Sequence, residues 1–121
     1  MKSDNKYNLQ QRLVEFSALL ISNVDIFKNN FASQHLLKQL IRSVTSSALN
    51  YGEAQSAESK KDFVHKMKVC LKELRESQVN LQIIEKSDLI KNKESFTLII
   101  NECNELVAIF TASIKTTKTK I

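Results

Sequence analysis

The chain has no proline, no tryptophan and a single glycine, Gly52, and aromatics make up only 7% of its 121 residues. An all-β fold needs turn residues at regular intervals, and their scarcity excludes one. A lone glycine also cannot build a phosphate-cradling loop or a Gly-x-Ser-x-Gly nucleophile elbow. No apolar run approaches the ~20 residues that cross a bilayer. The segment Met1 to Asn8 is polar and includes Asp4, which is unlike a secretory leader. The cytoplasm is therefore the expected compartment, without a membrane partner. There are two cysteines, Cys70 and Cys103. In a reducing compartment they are expected as buried thiols rather than as a disulfide.

What the chain does have is helical rhythm. Four stretches carry apolar residues at alternating spacings of three and four. They are Leu9, Leu13, Phe16, Leu20, Phe27; Leu37, Ile41, Val44, Ala48, Tyr51; Phe63, Met67, Cys70, Leu74, Leu81, Ile84; and Phe96, Ile99, Cys103, Leu106, Phe110. This alternation averages the period of a helix seam packed nearly parallel to a neighbour. The pattern predicts an all-α fold, an antiparallel up-down-up-down four-helix bundle forming one domain over residues 1–121. Residues 1–7 and 116–121 are expected as ragged tails.

The predicted helices run from about Asn8 to Lys28, Gln34 to Ala54, Lys60 to Lys86 and Lys93 to Lys115. Lys28-Asn29-Asn30 is read as the end of the first helix, with Ser33 as the N-cap of the second. Ser59, with Asp62 three residues on, resembles a capping box opening the third, and Asn92 caps the fourth. Connections this short join antiparallel neighbours. Gly52 lies late in the second helix and marks either close packing or the approaching helix end.

Further apolar residues supplement the seams: Val14 and Ile21; Val64 and Leu71 beside the third seam, with Val69 and Val79 farther round; and Ile100, Val107 and Ile114 beside the fourth. A monomeric bundle needs about one apolar stripe per helix. The surplus either widens the core or covers a contact between subunits, and self-association is the expectation.

Catalytic and metal chemistry find little support. A di-iron bundle site needs Glu-x-x-His on two helices. The nearest match, Asp62 to His65, occurs once, and His35 has Ala32 three residues before it. Neither histidine has an arginine four to six residues upstream, as a helical RNA-cleaving site of the HEPN type requires. No cofactor and no metal are expected, and the chain reads as a non-enzyme.

A resemblance is carried by Leu40-Ile41-Arg42-Ser43-Val44-Thr45-Ser46-Ser47-Ala48-Leu49-Asn50-Tyr51-Gly52-Glu53-Ala54, then Ser59-Lys60-Lys61-Asp62-Phe63, then Leu71-Lys72-Glu73-Leu74-Arg75-Glu76. This text resembles the four helix bundle protein family, also called the 23S rRNA-intervening-sequence or S23 family. The departures are Ser47-Ala48-Leu49, Gly52 in place of a common acidic residue, and Val79-Asn80 in place of the usual aromatic. The resemblance implies homo-oligomers, with pentameric rings known among relatives, in a bacterial family whose biochemical role is not established. It also implies kinship of fold with the accessory protein of diversity-generating retroelements, which binds nucleic acid through a basic surface.

Two polar groups are therefore singled out. Arg42, Asn50 and Glu53 on the second helix and Glu73 and Glu76 on the third are the signature polar positions. Arg42 is expected to fork onto Glu73 or Glu76 and so fix register or subunit docking. Lys61, Lys68, Lys72 and Arg75 follow steps of seven, four and three and form a basic stripe beside the third seam. With a net charge of +5, multiplied by assembly, that stripe suits weak, sequence-independent contact with RNA or DNA backbone. The alternative is a protein-binding scaffold that uses exposed apolar helix faces.

Overall fold

A computed structural model describes residues 8–119. It contains four helices: α1 (Leu9–Ser22), α2 (Phe31–Ala54), α3 (Lys60–Lys86) and α4 (Lys93–Thr119). No strand occurs among the described residues, and the expected tail at residues 1–7 lies outside them, as do residues 120–121. The fourth helix continues past Lys115 to Thr119. Consecutive helices pack as neighbours, most extensively α2 on α3, and α1 also meets α4, less extensively than any consecutive pair.

The seams explain this arrangement. Leu13, Phe16 and Leu20 from α1 meet Leu40, Val44 and Ala48 from α2. Met67, Cys70, Leu74 and Ile84 from α3 and Ile99, Cys103, Leu106 and Phe110 from α4 complete one core. Two edge-to-face aromatic contacts tie its ends: Phe27 with Phe96 at 6.0 Å and Tyr51 with Phe110 at 5.7 Å between ring centroids. Small side chains let α2 and α3 close on each other. Ser43, Ser47 and Ser77 are buried, and the Ser43 and Ser77 hydroxyls share a hydrogen bond of 2.6 Å across the contact. Ser47 Oγ donates to the Val44 carbonyl within its own helix, so these buried hydroxyls carry no desolvation debt. By length and composition α4 could cross a membrane, but its seam from Phe96 to Ile114 is packed into the core.

Two boundaries differ from the sequence reading. The first helix stops at Ser22, not at Lys28. Asn23 turns back on it, its backbone N–H donating to the Leu20 carbonyl (3.0 Å) and its side-chain amide to the Leu19 carbonyl (2.8 Å). A single 3-10 turn, Val24–Ile26, follows. Phe27 still reaches the core, but from extended backbone that bridges to Ile90 in the α3–α4 connection. Lys28 N–H donates to the Leu89 carbonyl (2.9 Å) and Lys91 N–H to the Ile26 carbonyl (2.7 Å). Asp88 makes the adjoining turn with φ at 56°, a left-handed conformation that Asp tolerates better than most residues. The second correction concerns Ser33. Asn30 is the cap of α2, accepting from the Ser33 N–H at 2.9 Å, and Ser33 is a buried interior residue.

The other caps stand where the pattern places them. Ser59 Oγ accepts from the Asp62 N–H (3.0 Å), and Asn92 Oδ1 from the Ser95 N–H (3.1 Å). Asp62 departs from a strict capping box by reaching back to the N–H of Glu58, at 3.2 Å, rather than that of Ser59.

The apolar surplus divides. Val64, Val107 and Ile114 are buried in the chain's own core, and Leu71 and Ile100 pack partly against it. Val14, Ile21 and Val79 stay about half exposed, as do Leu98 and Ile83, and Leu49 and Phe31 are more exposed still. Both thiols are free and buried, and burial pushes each up to about 12.

Candidate nucleic-acid interface

The α3 helix positions the basic side chains. Its inward seam fixes the rotation, so Lys61, Lys68, Lys72 and Arg75 all fall on the outer side and are exposed. Lys61 and Arg75 stand fourteen residues apart, about 21 Å of helix at 1.5 Å per residue. None of the four forms an ion pair among the described residues. Arg75 makes a single long hydrogen bond, 3.4 Å, to Thr111 Oγ1 on α4.

Two shallow depressions flank this ridge and share Lys68. One, of about 370 Å3, brings Lys61 and Lys68 together with His65 and Lys118 of α4. The other, of about 770 Å3, runs between α2 and the outer side of α3 and collects Arg42, Lys72 and Arg75. Lys118 and Arg42 thus extend the ridge sideways, onto α4 and α2. Nothing in the spacing of the α3 lysines places them there, because their approach depends on helix packing.

Arg42 reaches two carboxylates on α3. Its Nη2 donates to Glu76 Oε1 at 3.1 Å, and Nη1 lies 3.6 Å from Glu73 Oε1. Glu73 is largely buried at 12% exposure, whereas Arg42 is 62% exposed. The arginine therefore sits over the α2–α3 contact like a clasp and leaves part of its guanidinium to solvent. The other two signature residues are not joined to it. Asn50 turns back within α2, donating to the Ser46 carbonyl (2.8 Å) and hydroxyl (3.0 Å). Glu53 is exposed near the α2–α3 turn, in a separate depression with Glu58, Asp62 and Leu49.

The strongest polar tie involves residues that sequence reading passed over. Arg12 of α1 donates from Nε to Glu102 Oε2 at 2.8 Å and from Nη2 to Glu102 Oε1 at 3.0 Å on α4, and it also contacts Glu105. The hydrogen bond with Glu102 is the main cause raising the Arg12 pKa further above the ordinary guanidinium value. Its signal was one of position only, since Arg12, Glu102 and Glu105 each adjoin a seam residue. No group of three or more His, Cys, Asp or Glu able to hold a metal ion occurs among the described residues.

These features define a class: a small antiparallel four-helix bundle with one cationic helix face. The chain belongs to the 23S rRNA-intervening sequence protein family, whose model matches residues 5–112. It is also similar to a crystal structure from Bacteroides thetaiotaomicron VPI-5482, a protein with unknown function from the S23 ribosomal protein family. That likeness has 28% identity and a TM-score of 0.76, and covers 88% of this chain and 97% of the other. None of the curated proteins matches.

Proposed function

We propose that this protein is a non-enzymatic, cytoplasmic binding module that holds RNA or DNA backbone along the outer side of α3 and works as a homo-oligomer. The observation that carries the reading is a cationic ridge with no ion-pair partner among the described residues. Five cations (Lys61, Lys68, Lys72, Arg75 and Lys118) line a path of about 21 Å, the length of about six base pairs at 3.4 Å each. They meet phosphate without any feature suited to reading bases, so the affinity is electrostatic and sequence-independent. The residues lining the ridge's two depressions include no Phe, Tyr or Trp, and the only ring among them is that of His65, which favours backbone contact over base stacking.

Self-association supports the same reading through charge. A ring, as the family resemblance suggests, would multiply a net +5 per subunit into a field that a monomer lacks. The half-exposed Val14, Ile21 and Leu98 are the faces available to neighbours.

The test is fluorescence anisotropy with a labelled 20-nucleotide RNA and a DNA duplex of similar length, using wild type and a Lys61→Glu/Lys68→Glu/Lys72→Glu variant. All three side chains are exposed, so the fold should survive. Binding by wild type and loss of at least tenfold in the variant support the reading. Equal retention by both, or none by either at low salt, contradicts it. Light scattering should give a mass that is a multiple of 13.8 kDa, and a monomer at micromolar concentration removes the assembly.

A further inference from the structure

The outer side of α3 does not end its pattern at Arg75. The three-four steps continue through Val79, Ile83 and Lys86, so one stripe runs cationic to Arg75 and apolar through Val79 and Ile83 before it ends on Lys86. Val79 is 53% and Ile83 46% exposed. Both line the larger depression beside α2, where the partly buried Leu36 forms part of the wall. A second depression carries the same two residues on to Lys86. Asn80, in the same wall, donates its amide to the Leu36 carbonyl at 3.2 Å and leaves its buried Oδ1 without a partner. Phosphate backbone gives no reason for the apolar half, because it gains nothing from Val79 and Ile83.

We infer that this stripe is a docking surface for an acidic amphipathic helix of a partner protein, packed alongside α3 as a fifth helix. The depression is open along its length, and the stretch from Leu71 to Ile83 is about 18 Å, matching three helical turns of a ligand. Apolar residues at i, i+4 and i+7 of the incoming helix would cover Val79, Ile83 and Leu36. Carboxylates toward one of its ends would meet Lys72 and Arg75, which have no ion-pair partner among the described residues. Charge argues against a second copy in this place. A two-fold pairing of α3 with itself would set Lys68, Lys72 and Arg75 against one another or against the apolar half, and neither arrangement is complementary.

The inference stands on the apolar half of the stripe; it shares Lys72 and Arg75 with the nucleic-acid reading, whose other residues, Lys61, Lys68 and Lys118, lie toward the other end. The probe is a labelled 16-residue helical peptide with Leu at i, i+4, i+7 and i+11 and Glu grouped near one end, beside a counterpart with Lys for Glu. Wild type should bind the acidic peptide at least tenfold more tightly than the basic one. The charge-neutral Val79→Asn/Ile83→Asn should weaken that binding at least tenfold and leave RNA retention unchanged. Ile83→Gln, milder at a half-exposed site, should weaken it severalfold and guards against misfolding of the double variant. Equal binding of the two peptides, or binding indifferent to both variants, overturns the proposal. A fall in the protein's own mass with Val79→Asn/Ile83→Asn assigns the stripe to a second copy, and loss of RNA retention in that variant assigns it to nucleic acid; either result also overturns it.

Discussion

Replacing Arg12 with alanine probes the weakest seam of the bundle. α1 and α4 share the least packing of any adjacent pair, and Arg12 spans them with two hydrogen bonds to one carboxylate, at 2.8 and 3.0 Å. Surface ion pairs contribute ~0.2–1 kcal/mol. This one is bidentate and less exposed than most, at 31% for Arg12 and 24% for Glu102, so about 1–2 kcal/mol is expected. Truncation also leaves Glu102 without its cation, which places the loss toward the upper figure. For a chain of this size that is a fall in Tm of about 4–10 °C, read by circular dichroism at 222 nm. Arg12→Lys should lie between the two, since an ammonium cannot reproduce the fork. A double-mutant cycle with Glu102→Ala should return a coupling of about 1 kcal/mol. A coupling indistinguishable from zero, with Arg12→Ala as stable as wild type, would refute the view that this tie closes the α1–α4 seam.

Three further expectations follow from the same geometry. Asn30→Ala should cost about 1 kcal/mol as a lost N-cap, whereas Ser33→Ala should be neutral or stabilising, because Ser33 Oγ is buried with no partner; chemical denaturation separates the two. Gly52→Ala should stabilise by about 0.5–1 kcal/mol, since the new methyl meets only the end of the flexible Gln10 side chain, at 3.4 Å. The thiols give a pH dependence. Their folded pKa of about 12 exceeds the ordinary thiol value of 9.0, so the unfolded chain ionises first. Their contribution is complete below pH 9 and is lost as pH rises from 9 toward 12, with a slope of up to about 1.4 kcal/mol per pH unit per thiol. Denaturant midpoints at pH 8 and pH 10.5 check this, and Cys70→Ala/Cys103→Ala should flatten the difference. At pH 8 neither thiol should react with a disulfide reagent faster than the protein unfolds.

Most of the fold is legible in the sequence because a seam encodes both helix and partner direction. Met67, Cys70 and Leu74 are inward for the same reason that Lys68, Lys72 and Arg75 are outward, so the ridge could be read from spacing alone. The end of α1 misled because Phe27 follows Leu20 by seven residues and sits in the core, as a continuing helix would place it. It gets there by another route, through Asn23 and the bridge to Ile90, and periodicity cannot distinguish the two. The cap was misplaced because Asn and Ser cap equally well, and only the burial of Ser33 decides between Asn30 and Ser33. Arg12 with Glu102, and Lys118 beside Lys61, are pairs far apart in the sequence. Their meeting depends on the packing of α1 against α4 and of α3 against α4, about which local spacing says nothing.

The dependence of nucleic-acid affinity on salt tests the central claim most directly. Five ridge cations on a duplex give a slope of log K against log salt near −4.5 per engaged subunit, at about 0.9 per phosphate neutralised. Reversal of Lys61, Lys68 and Lys72 should reduce the steepness by about 3. A wild-type slope near zero, or one unchanged by the reversals, would contradict a phosphate-holding ridge on α3.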